Sequence, residues 1–143
     1  MEQILTHLRQ NARISLTEIS KKTGIPVSSL AVKIKKMEDE KVIRKYATLL
    51  DLKKLGYDTF AHIALKVHRE DREELLKFVD NHPEINSAYE IDSGYDFLIE
   101  TVHKSQTELK RFVELLTEKF EITHYDIYYM IGTIKKEKFL SDK

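Results

Sequence analysis

The hydrophobic pattern of the chain changes from helical to alternating spacing near Leu55. Before this point, apolar residues recur every three or four positions, as they do on one face of a helix. After it, short runs of alternating polarity, which are typical of strands, are interleaved with two helical segments. A chain of 143 residues can form one domain or two small ones. The change of pattern predicts two, residues 1–50 and residues 58–143, joined by a hinge over residues 51–57.

The two parts also differ in charge, although the whole chain is neutral. Residues 1–54 contain 12 Lys and Arg against 6 Asp and Glu, whereas residues 55–143 contain 12 against 18. Such an asymmetry predicts a basic module that binds a polyanion and an acidic module with another task. A chance partition of a charged surface is the alternative explanation.

A helix-turn-helix pattern lies in the basic part. Ser15, followed three residues later by Glu18, matches a capping box, and Gly24 is a natural left-handed end for the helix that begins there. Pro26 is compatible with the first turn of a second helix. Two helices joined by about four residues with a glycine in the turn predict a helix-turn-helix, whose second helix enters the major groove of DNA.

The predicted second helix has one apolar face and several faces left for solvent or DNA. Its apolar stripe consists of Leu30, Ile34 and Met37. Serine hydroxyls can reach a phosphate or a base edge, a valine methyl can meet a thymine methyl, and lysines can hold the backbone. The residues predicted to face the groove are Ser28, Ser29, Val32, Lys33 and Lys36. A solvated amphipathic helix would carry similar lysines, but the turn and the charge asymmetry favour DNA.

The stretch "KVIRKYATLLDL" follows this helix and alternates between apolar and polar residues. This alternation predicts a short hairpin or wing that touches the DNA backbone beside the groove. Phosphate contacts are predicted for Arg44 and Lys45 here, for Lys35 on the helix, and for Arg13 ahead of the first helix of the motif.

The acidic part shows the element order β-α-β-β-α-β, which is the split βαβ or ferredoxin-like arrangement. The stretches "REDREELLKFVDNHP" and "SQTELKRFVELLTEKF" are its two helices, and "ITHYDIYYMIGTIKK" is predicted to be a long last strand. Both helices would cover one face of the sheet. The other face still carries large apolar groups, so a second copy of the chain is expected to cover it.

Residue content argues against several other classes of protein. The chain has no cysteine, so disulfide and thiolate chemistry are absent and a reducing cytoplasm is the expected location. No apolar run approaches the roughly 18 residues of a membrane span, and the six histidines are scattered, so neither a membrane nor a metal or other cofactor is expected. A carboxylate–histidine set around one turn could do acid–base work, and it consists of Asp92, Asp96, His103, Glu90 and Tyr95. No nucleophile–base spacing accompanies them, and an enzyme is not expected.

Several motifs together carry a resemblance to a known family. They are "ILTHLRQNARISLTEISKKTGI", "SSLAVKIKKMEDEKVI", "LDLKKLGY", "HPEINSAYEIDSGYDFLI" and the closing strand. In this order and spacing the chain resembles the archaeal and bacterial Lrp/AsnC (feast/famine) transcriptional regulators over almost its whole length. The resemblance implies an α+β chain with an N-terminal winged helix-turn-helix and a C-terminal ligand-sensing βαββαβ domain. It also implies homodimers whose sheets pack face to face, often assembled into tetramers or octamers.

A small effector, usually an amino acid, binds between dimers in this family. The resemblance implies that the turn contributes Asp92, Ser93, Gly94 and Asp96 to the effector pocket, with Tyr128 and Met130 of the last strand as the opposite wall. Asp96 could instead stabilise the turn, and Tyr128 and Met130 could instead belong to the dimer core.

Two departures from the family pattern concern these regions. Lys41 stands where a glycine usually closes the recognition helix, and a non-glycine residue in a left-handed conformation costs on the order of 1 kcal/mol. The family usually has a Thr-Gly pair and one further residue before an aromatic residue and an aspartate, whereas this chain reads "DSGYD". This loop is part of the effector pocket in the family, so the departure concerns which amino-acid-like effector, if any, the chain binds.

These observations predict a cytoplasmic, sequence-specific regulator of transcription that binds double-stranded DNA as a dimer or higher oligomer. Two alternatives remain at this point. One is an architectural protein that coats DNA with little sequence preference, and the other is a small-molecule sensor that acts on a partner protein through its basic part.

Overall fold

A computed structural model describes residues 1–141. They form two compact units, one comprising Met1–Leu50 with the segment from Ile134 onward, and the other comprising Asp51–Thr133. The division predicted from sequence instead assigns residues 58–143 to one domain, of which residues 142–143 lie outside the described part. The difference arises because residues after Ile134 contact the first helix of the chain.

The first unit is a bundle of three helices, which are α1 (Glu2–Gln10), α2 (Leu16–Thr23) and α3 (Val27–Asp39). The serine half of the capping box predicted for α2 is present, because the Glu18 backbone N–H donates to Ser15 Oγ (3.1 Å). Gly24 ends α2 with a φ of 75°, which only glycine adopts readily. The buried side chains that join the helices are Ile4, Ile19, Leu30 and Met37. This arrangement confirms the helix-turn-helix.

The segment after α3 shows how Lys41 closes the helix, and it differs from the predicted hairpin. Lys41 is left-handed (φ 62°), so the non-glycine residue adopts the conformation that the family pattern reserves for glycine. The Ile43 backbone N–H then donates to the Met37 carbonyl (3.0 Å) and fixes the exit from the helix. Residues 44–50 form no strand, so the hairpin predicted for this stretch does not form there. A hairpin needs a second strand as partner, and the neighbouring sequence contains no hairpin turn between two strands.

The second unit is a four-stranded antiparallel sheet with two helices. Its elements are β1 (Thr59–Val67), α4 (Arg72–Asn81), β2 (Ile85–Glu90), β3 (Phe97–His103), α5 (Gln106–Lys119) and β4 (Ile122–Tyr129). The strand order β2-β3-β1-β4 confirms the ferredoxin-like arrangement. The helices cover one face, where alternate residues of β1 and β3 meet both helices in a core that includes Ile63, Leu75, Ile99, Phe112 and Leu116.

The last strand is shorter than predicted. β4 ends at Tyr129, which pairs with Ala61, and the Met130 backbone N–H makes one further bond to the Phe60 carbonyl (2.9 Å). Its partner β1 begins at Thr59, which lies opposite Ile131 in this register, so the residues after Ile131 have no part of β1 to pair with. The predicted continuation through "IGTIKK" is therefore wrong.

The face of the sheet opposite the helices remains uncovered in the single chain. Phe60, Leu98 and Val102 are half-buried there, while Tyr89 and Tyr128 are exposed. Polar contacts also cross this face, because Asn86 donates to Glu100 (2.8 Å). The face thus combines apolar and polar groups.

Candidate nucleic-acid interface and effector region

Helix α3 separates a buried stripe from an exposed surface, as the spacing of its apolar residues predicts. Leu30 and Met37 are buried against α1 and α2, whereas Val32 is 70% exposed although it is apolar. Ser28, Lys33 and Lys36 are also exposed, and Ser29 is half-buried. Because residues three and four apart share a helix face, these side chains form one continuous surface. An exposed valine between serines and lysines suits contact with a base edge and its flanking phosphates.

Two of the predicted phosphate-binding lysines have carboxylate partners on the same helix. Lys35 Nζ lies 3.2 Å from Asp39 Oδ1, and Lys36 Nζ lies 3.9 Å from Glu40 Oε1. Exposed pairs of this kind contribute about 0.3–0.5 kcal/mol, so a phosphate group can compete for either lysine. In both pairs the carboxylate follows the lysine by four residues. Met37 stands four residues after Lys33, so Lys33 is the lysine of this surface without such a partner, and this could be read from the sequence.

The remaining predicted phosphate contacts lie on the segments that flank the motif. Arg13 is exposed in the turn before α2, and its backbone N–H donates to Asn11 Oδ1 (3.0 Å). Arg44 and Lys45 are exposed directly after Ile43, which packs on the helical core. Arg13 is thus held through its backbone, and Arg44 and Lys45 directly follow a residue that packs on the core, while all three side chains are exposed.

Tyr46 was not predicted as a functional residue and has a defined role beside α3. Partial burial, the Glu38 charge and a hydrogen bond to the Glu38 carboxylate raise the pKa of the Tyr46 hydroxyl. The bond ties the basic residues before Tyr46 to the C-terminal half of α3. An aromatic residue directly after two cations was the only signal for it in the sequence.

In the second unit, Asp96 is engaged by its own chain. Its backbone N–H donates to the Leu65 carbonyl (2.8 Å), and its Oδ2 accepts from the Val67 N–H (3.0 Å). Arg72 Nη1 lies 4.0 Å from the other carboxylate oxygen, Oδ1. The carboxylate therefore joins the start of β3 to the end of β1, which corresponds to the turn-stabilising alternative.

Tyr95 was not among the residues predicted for the effector pocket, although it makes contacts beside the turn. Its hydroxyl donates to the Asp126 carboxylate, and its ring stacks on that of His124, with the centroids 5.4 Å apart. The hydrogen bond raises the pKa of Tyr95 to about 12. The turn residue Ser93 accepts from the Tyr95 backbone N–H through Oγ (3.2 Å). These contacts connect the turn to β4 across the sheet.

Of the two residues predicted for the opposite wall, Met130 lies away from the turn within one chain. Tyr128 is close enough to Tyr95 of the turn to contribute to the raised pKa of Tyr95. Tyr128 lies on the uncovered face two residues beyond Asp126, whereas Met130 bonds through its backbone to Phe60. Phe60 and Leu65 are five residues apart on β1, which corresponds to about 17 Å along a strand. Met130 and the turn therefore lie near opposite ends of the sheet.

His103 is also separated from the acidic residues of the turn. It is fully buried at the far end of β3, where Nδ1 lies 2.6 Å from Glu84 Oε2. Glu90 instead contacts Arg72 (3.2 Å). The acid–base cluster considered from the sequence does not form. Within residues 1–141, no three His, Cys, Asp or Glu side chains are arranged so that they could hold a metal ion.

Two surface grooves occur in the second unit. One, of about 500 Å³, lies between α5 and β4, with Val113, Tyr125 and Ile127 among its lining residues. The other, of about 340 Å³, lies at the ends of α4 and α5 beside His82, whose pKa is lowered by burial. Neither of these two grooves is lined by the turn residues 92–96. None of the helices in the described part is both long enough and apolar enough to cross a membrane.

Two protein-family models match the chain. One describes a winged helix-turn-helix DNA-binding domain and matches residues 2–44, and the other describes an Lrp/AsnC ligand-binding domain and matches residues 58–140. The HTH-type transcriptional regulator FL11 of Pyrococcus horikoshii is 31% identical over 115 residues, which span 80% of this chain and 76% of that protein. The regulator LrpB of Bacillus subtilis is 31% identical over 134 residues, 94% of this chain and 88% of that one.

Solved structures show the same fold. A transcriptional regulator of Neisseria meningitidis, determined as a complex with L-Met, superposes with a TM-score of 0.87 at 23% identity and covers 94% of this chain and 90% of that one. AsnC of E. coli superposes with a TM-score of 0.83 at 22% identity, with 94% and 92% covered. Together with the helix-turn-helix and the ferredoxin-like sheet described above, these matches show that the chain belongs to the Lrp/AsnC family of transcriptional regulators.

Proposed function

We propose that this regulator binds specific double-stranded DNA sequences through the exposed surface of α3. The observation that carries the proposal is the 70% exposure of Val32 between Ser28 and Lys33, on a helix whose opposite stripe is buried. A surface of this kind leaves hydroxyls, a methyl group and a cation available for the major groove. Contacts with base edges supply the sequence preference, and contacts with phosphates supply much of the affinity.

The proposed division of work follows the chemistry of each side chain. Ser28, Ser29 and Val32 read base edges, with Lys33 and Lys36 beside them in the groove. Lys35, Arg44, Lys45 and Arg13 contact phosphates. Residues 51–57 serve as the proposed hinge, and they contain one short 3-10 turn, Lys53–Leu55, followed by Gly56 at a φ of 90°.

Fluorescence anisotropy on the DNA upstream of the chain's own gene and on a scrambled duplex of equal length tests this function. Both titrations are made at near-physiological salt. The expected result is a preference of roughly a thousand-fold or more for the upstream DNA. Equal and salt-sensitive affinity would support the architectural alternative, and binding to neither duplex would favour the sensor that acts on a protein.

We propose further that a small amino-acid-like effector binds near Asp92, Ser93 and Gly94. The L-Met complex of the Neisseria protein supports this class of ligand. Asp96 is already used by the Val67 N–H, so Asp92 and the backbone around Gly94 are better placed to receive a ligand. Calorimetry with the twenty amino acids, beginning with methionine, tests the proposal. Absence of heat with all twenty would overturn it for amino acids.

We propose a homodimer formed through the uncovered sheet face, with further assembly into tetramers or octamers. Half-buried apolar groups such as Leu98 and Val102 support this face as the contact. Light scattering after size exclusion should give at least twice the 16.8 kDa mass of the chain. A Leu98→Glu variant should give a smaller species, whereas Glu114→Lys on α5 should not. The cytoplasm is the proposed location, because chromosomal DNA of archaea and bacteria lies there.

A further inference from the structure

The segment of residues 134–141 returns from the sheet unit and docks on the end of α1. Arg9 Nε donates to the Phe139 carbonyl (2.9 Å), and both terminal nitrogens of Arg9 approach Glu137 Oε2 (3.3 and 3.4 Å). The Gln10 side-chain amide donates to the Ser141 carbonyl, and Ser141 is buried. We call these contacts the tail latch.

The tail latch is polar rather than hydrophobic. Ile134 and Phe139 are almost fully exposed, so burial of their side chains does not hold the segment. Glu137 and Leu140 have φ values of 54° and 55°, a left-handed conformation that non-glycine residues seldom adopt. A backbone held in sparsely populated conformations by specific side chains indicates a defined position rather than a loose end.

The position of the tail latch is relevant to DNA because the end of α1 leads directly into the helix-turn-helix. Arg9 and Gln10 are the last two residues of this helix, and the turn after them carries Arg13 and continues into α2. In helix-turn-helix proteins the helix before the recognition helix crosses the DNA backbone. The latched segment is therefore fixed beside a turn that this geometry directs toward phosphates.

The charge of the segment fits the same target. Residues 134–141 contain three lysines and one glutamate, and that glutamate is neutralised by Arg9. Residues 1–50 contain ten Lys and Arg against five Asp and Glu, so the segment adds positive charge to a unit that is already basic. Lys135 and Lys138 are exposed. The guanidinium of Arg9 is bonded to Phe139 and Glu137. The cations available for phosphate at this end of α1 are therefore the lysines of residues 134–141 and not Arg9.

We propose that residues 134–141 form a second phosphate-binding segment of the DNA-binding unit, in which Lys135 and Lys138 contact the DNA backbone and Arg9 positions them. This inference rests on the proposed DNA-binding function and extends it to a part of the chain that follows the sheet unit. The segment contributes affinity and salt dependence but no base preference, because phosphates are the same at every position.

The test compares two double variants of the full chain. Lys135→Gln with Lys138→Gln removes the proposed phosphate-binding cations, and Lys77→Gln with Lys110→Gln removes two lysines of the sheet unit as the matched control. The slope of log affinity against log salt concentration should flatten by about 0.9 for each phosphate that the variant no longer binds. We expect this flattening in the tail variant alone, with an unchanged ratio of affinities for the upstream and scrambled duplexes.

A tail variant with the same slope as the control, on a background of steep wild-type salt dependence, overturns this proposal but leaves the proposed function intact. A wild-type slope near zero would instead overturn the proposed charge-driven binding itself. The two failures are thus distinguishable.

Arg9→Ala tests the positioning role, because it keeps both lysines and removes their anchor. Trypsin should cleave the variant faster between residues 135 and 138, and the salt slope should flatten in part. Arg111→Ala, a change of an exposed arginine on α5, is the control. If Arg9→Ala releases the segment and the slope does not change, Arg9 does not position these lysines.

Discussion

The exposed surface of α3 and the turn of residues 91–96 both carry polar side chains, but they use them differently. On α3, Ser28 and Lys33 make no side-chain hydrogen bond or ion pair among those that the described structure contains. In the turn, Asp96 and Tyr95 are bonded to groups of their own chain. Polar groups without internal partners can be used by a ligand without breaking an existing bond, whereas bonded groups first have to exchange a partner.

This difference indicates which site is complete in one chain. The exposed surface of α3 is supported by the helical core of its own unit, so one protomer presents it fully. The turn has used part of its bonding capacity on the sheet, and Met130 lies near the other end of that sheet. A ligand at the turn therefore needs a wall from elsewhere, which agrees with the proposed assembly of several chains.

The largest expected effect comes from removing two lysines on the exposed surface of α3. Lys33→Ala with Lys36→Ala should weaken binding to every duplex, because phosphate contacts dominate affinity. With about six phosphate contacts per dimer, the wild-type log–log salt slope should be about −5, and the variant slope should be less steep by about 0.9 for each phosphate contact that is lost. Anisotropy titrations at several salt concentrations measure both values. Unchanged thermal stability should accompany the weaker binding, and an unchanged slope would remove these lysines from the interface.

A large effect on folding is expected at the turn instead. Asp96→Ala removes the acceptor of the Val67 N–H and should reduce the free energy of unfolding by about 1–3 kcal/mol. Denaturant titration followed by tyrosine fluorescence measures it, because six of the seven tyrosines lie in residues 51–133. Asp92→Ala is the matched control and should change stability by less than about 0.5 kcal/mol. Equal stability of both variants would show that the bond of Asp96 to Val67 does not stabilise the fold, and the turn would then not differ from the surface of α3 in this respect.

A smaller effect is expected from Ser28→Ala. Loss of one hydrogen bond to a base is worth about 1 kcal/mol, or roughly fivefold at one base position. Selection of bound sequences from a random pool should show relaxed preference at that position, while the salt slope stays the same. If the selected sequence is identical to that of the wild type, Ser28 does not read a base.

The smallest effect at neutral pH concerns the Tyr95 hydroxyl. Its folded-state pKa is raised to about 12, above the ordinary value of 10, so its bond to Asp126 is fully present below pH 10 and is lost as the pH rises through about 12. Ultraviolet absorbance during an alkaline titration follows the phenolate. Asp126→Asn should lower the midpoint of this one tyrosine, and an unchanged titration would show that the carboxylate does not control it.

Features set by residues close in sequence were predictable. The bond from the Glu18 N–H to the Ser15 cap and the glycine end of α2 depend on three- and four-residue spacings, and both occur in the structure. The order of strands and helices also followed from periodicity, because few topologies connect such elements. The antiparallel sheet and the helix-turn-helix could therefore be inferred from the sequence alone.

Features that depend on distant pairing were not predictable. The length of β4 depends on where β1 begins, more than sixty residues earlier in the chain. The role of Asp96 depends on the backbone of Val67, and the docking of residues 134–141 depends on Arg9. None of these partners leaves a pattern in the local sequence. From the sequence alone, the side chains of Asp96 and Arg9 could equally well have faced solvent.

The docking of residues 134–141 on α1 has a consequence for biosynthesis. Domains generally fold in the order in which they are synthesised, and the helical core of Ile4, Ile19, Leu30 and Met37 is encoded entirely within residues 1–50. The helix-turn-helix can therefore form while the sheet is still being made, but the tail latch cannot close until the sheet has been translated. A nascent chain would thus possess the proposed base-reading helix before it possesses the full set of proposed phosphate contacts, and the proposed tight binding to DNA would be reserved for chains whose sheet unit has already been synthesised.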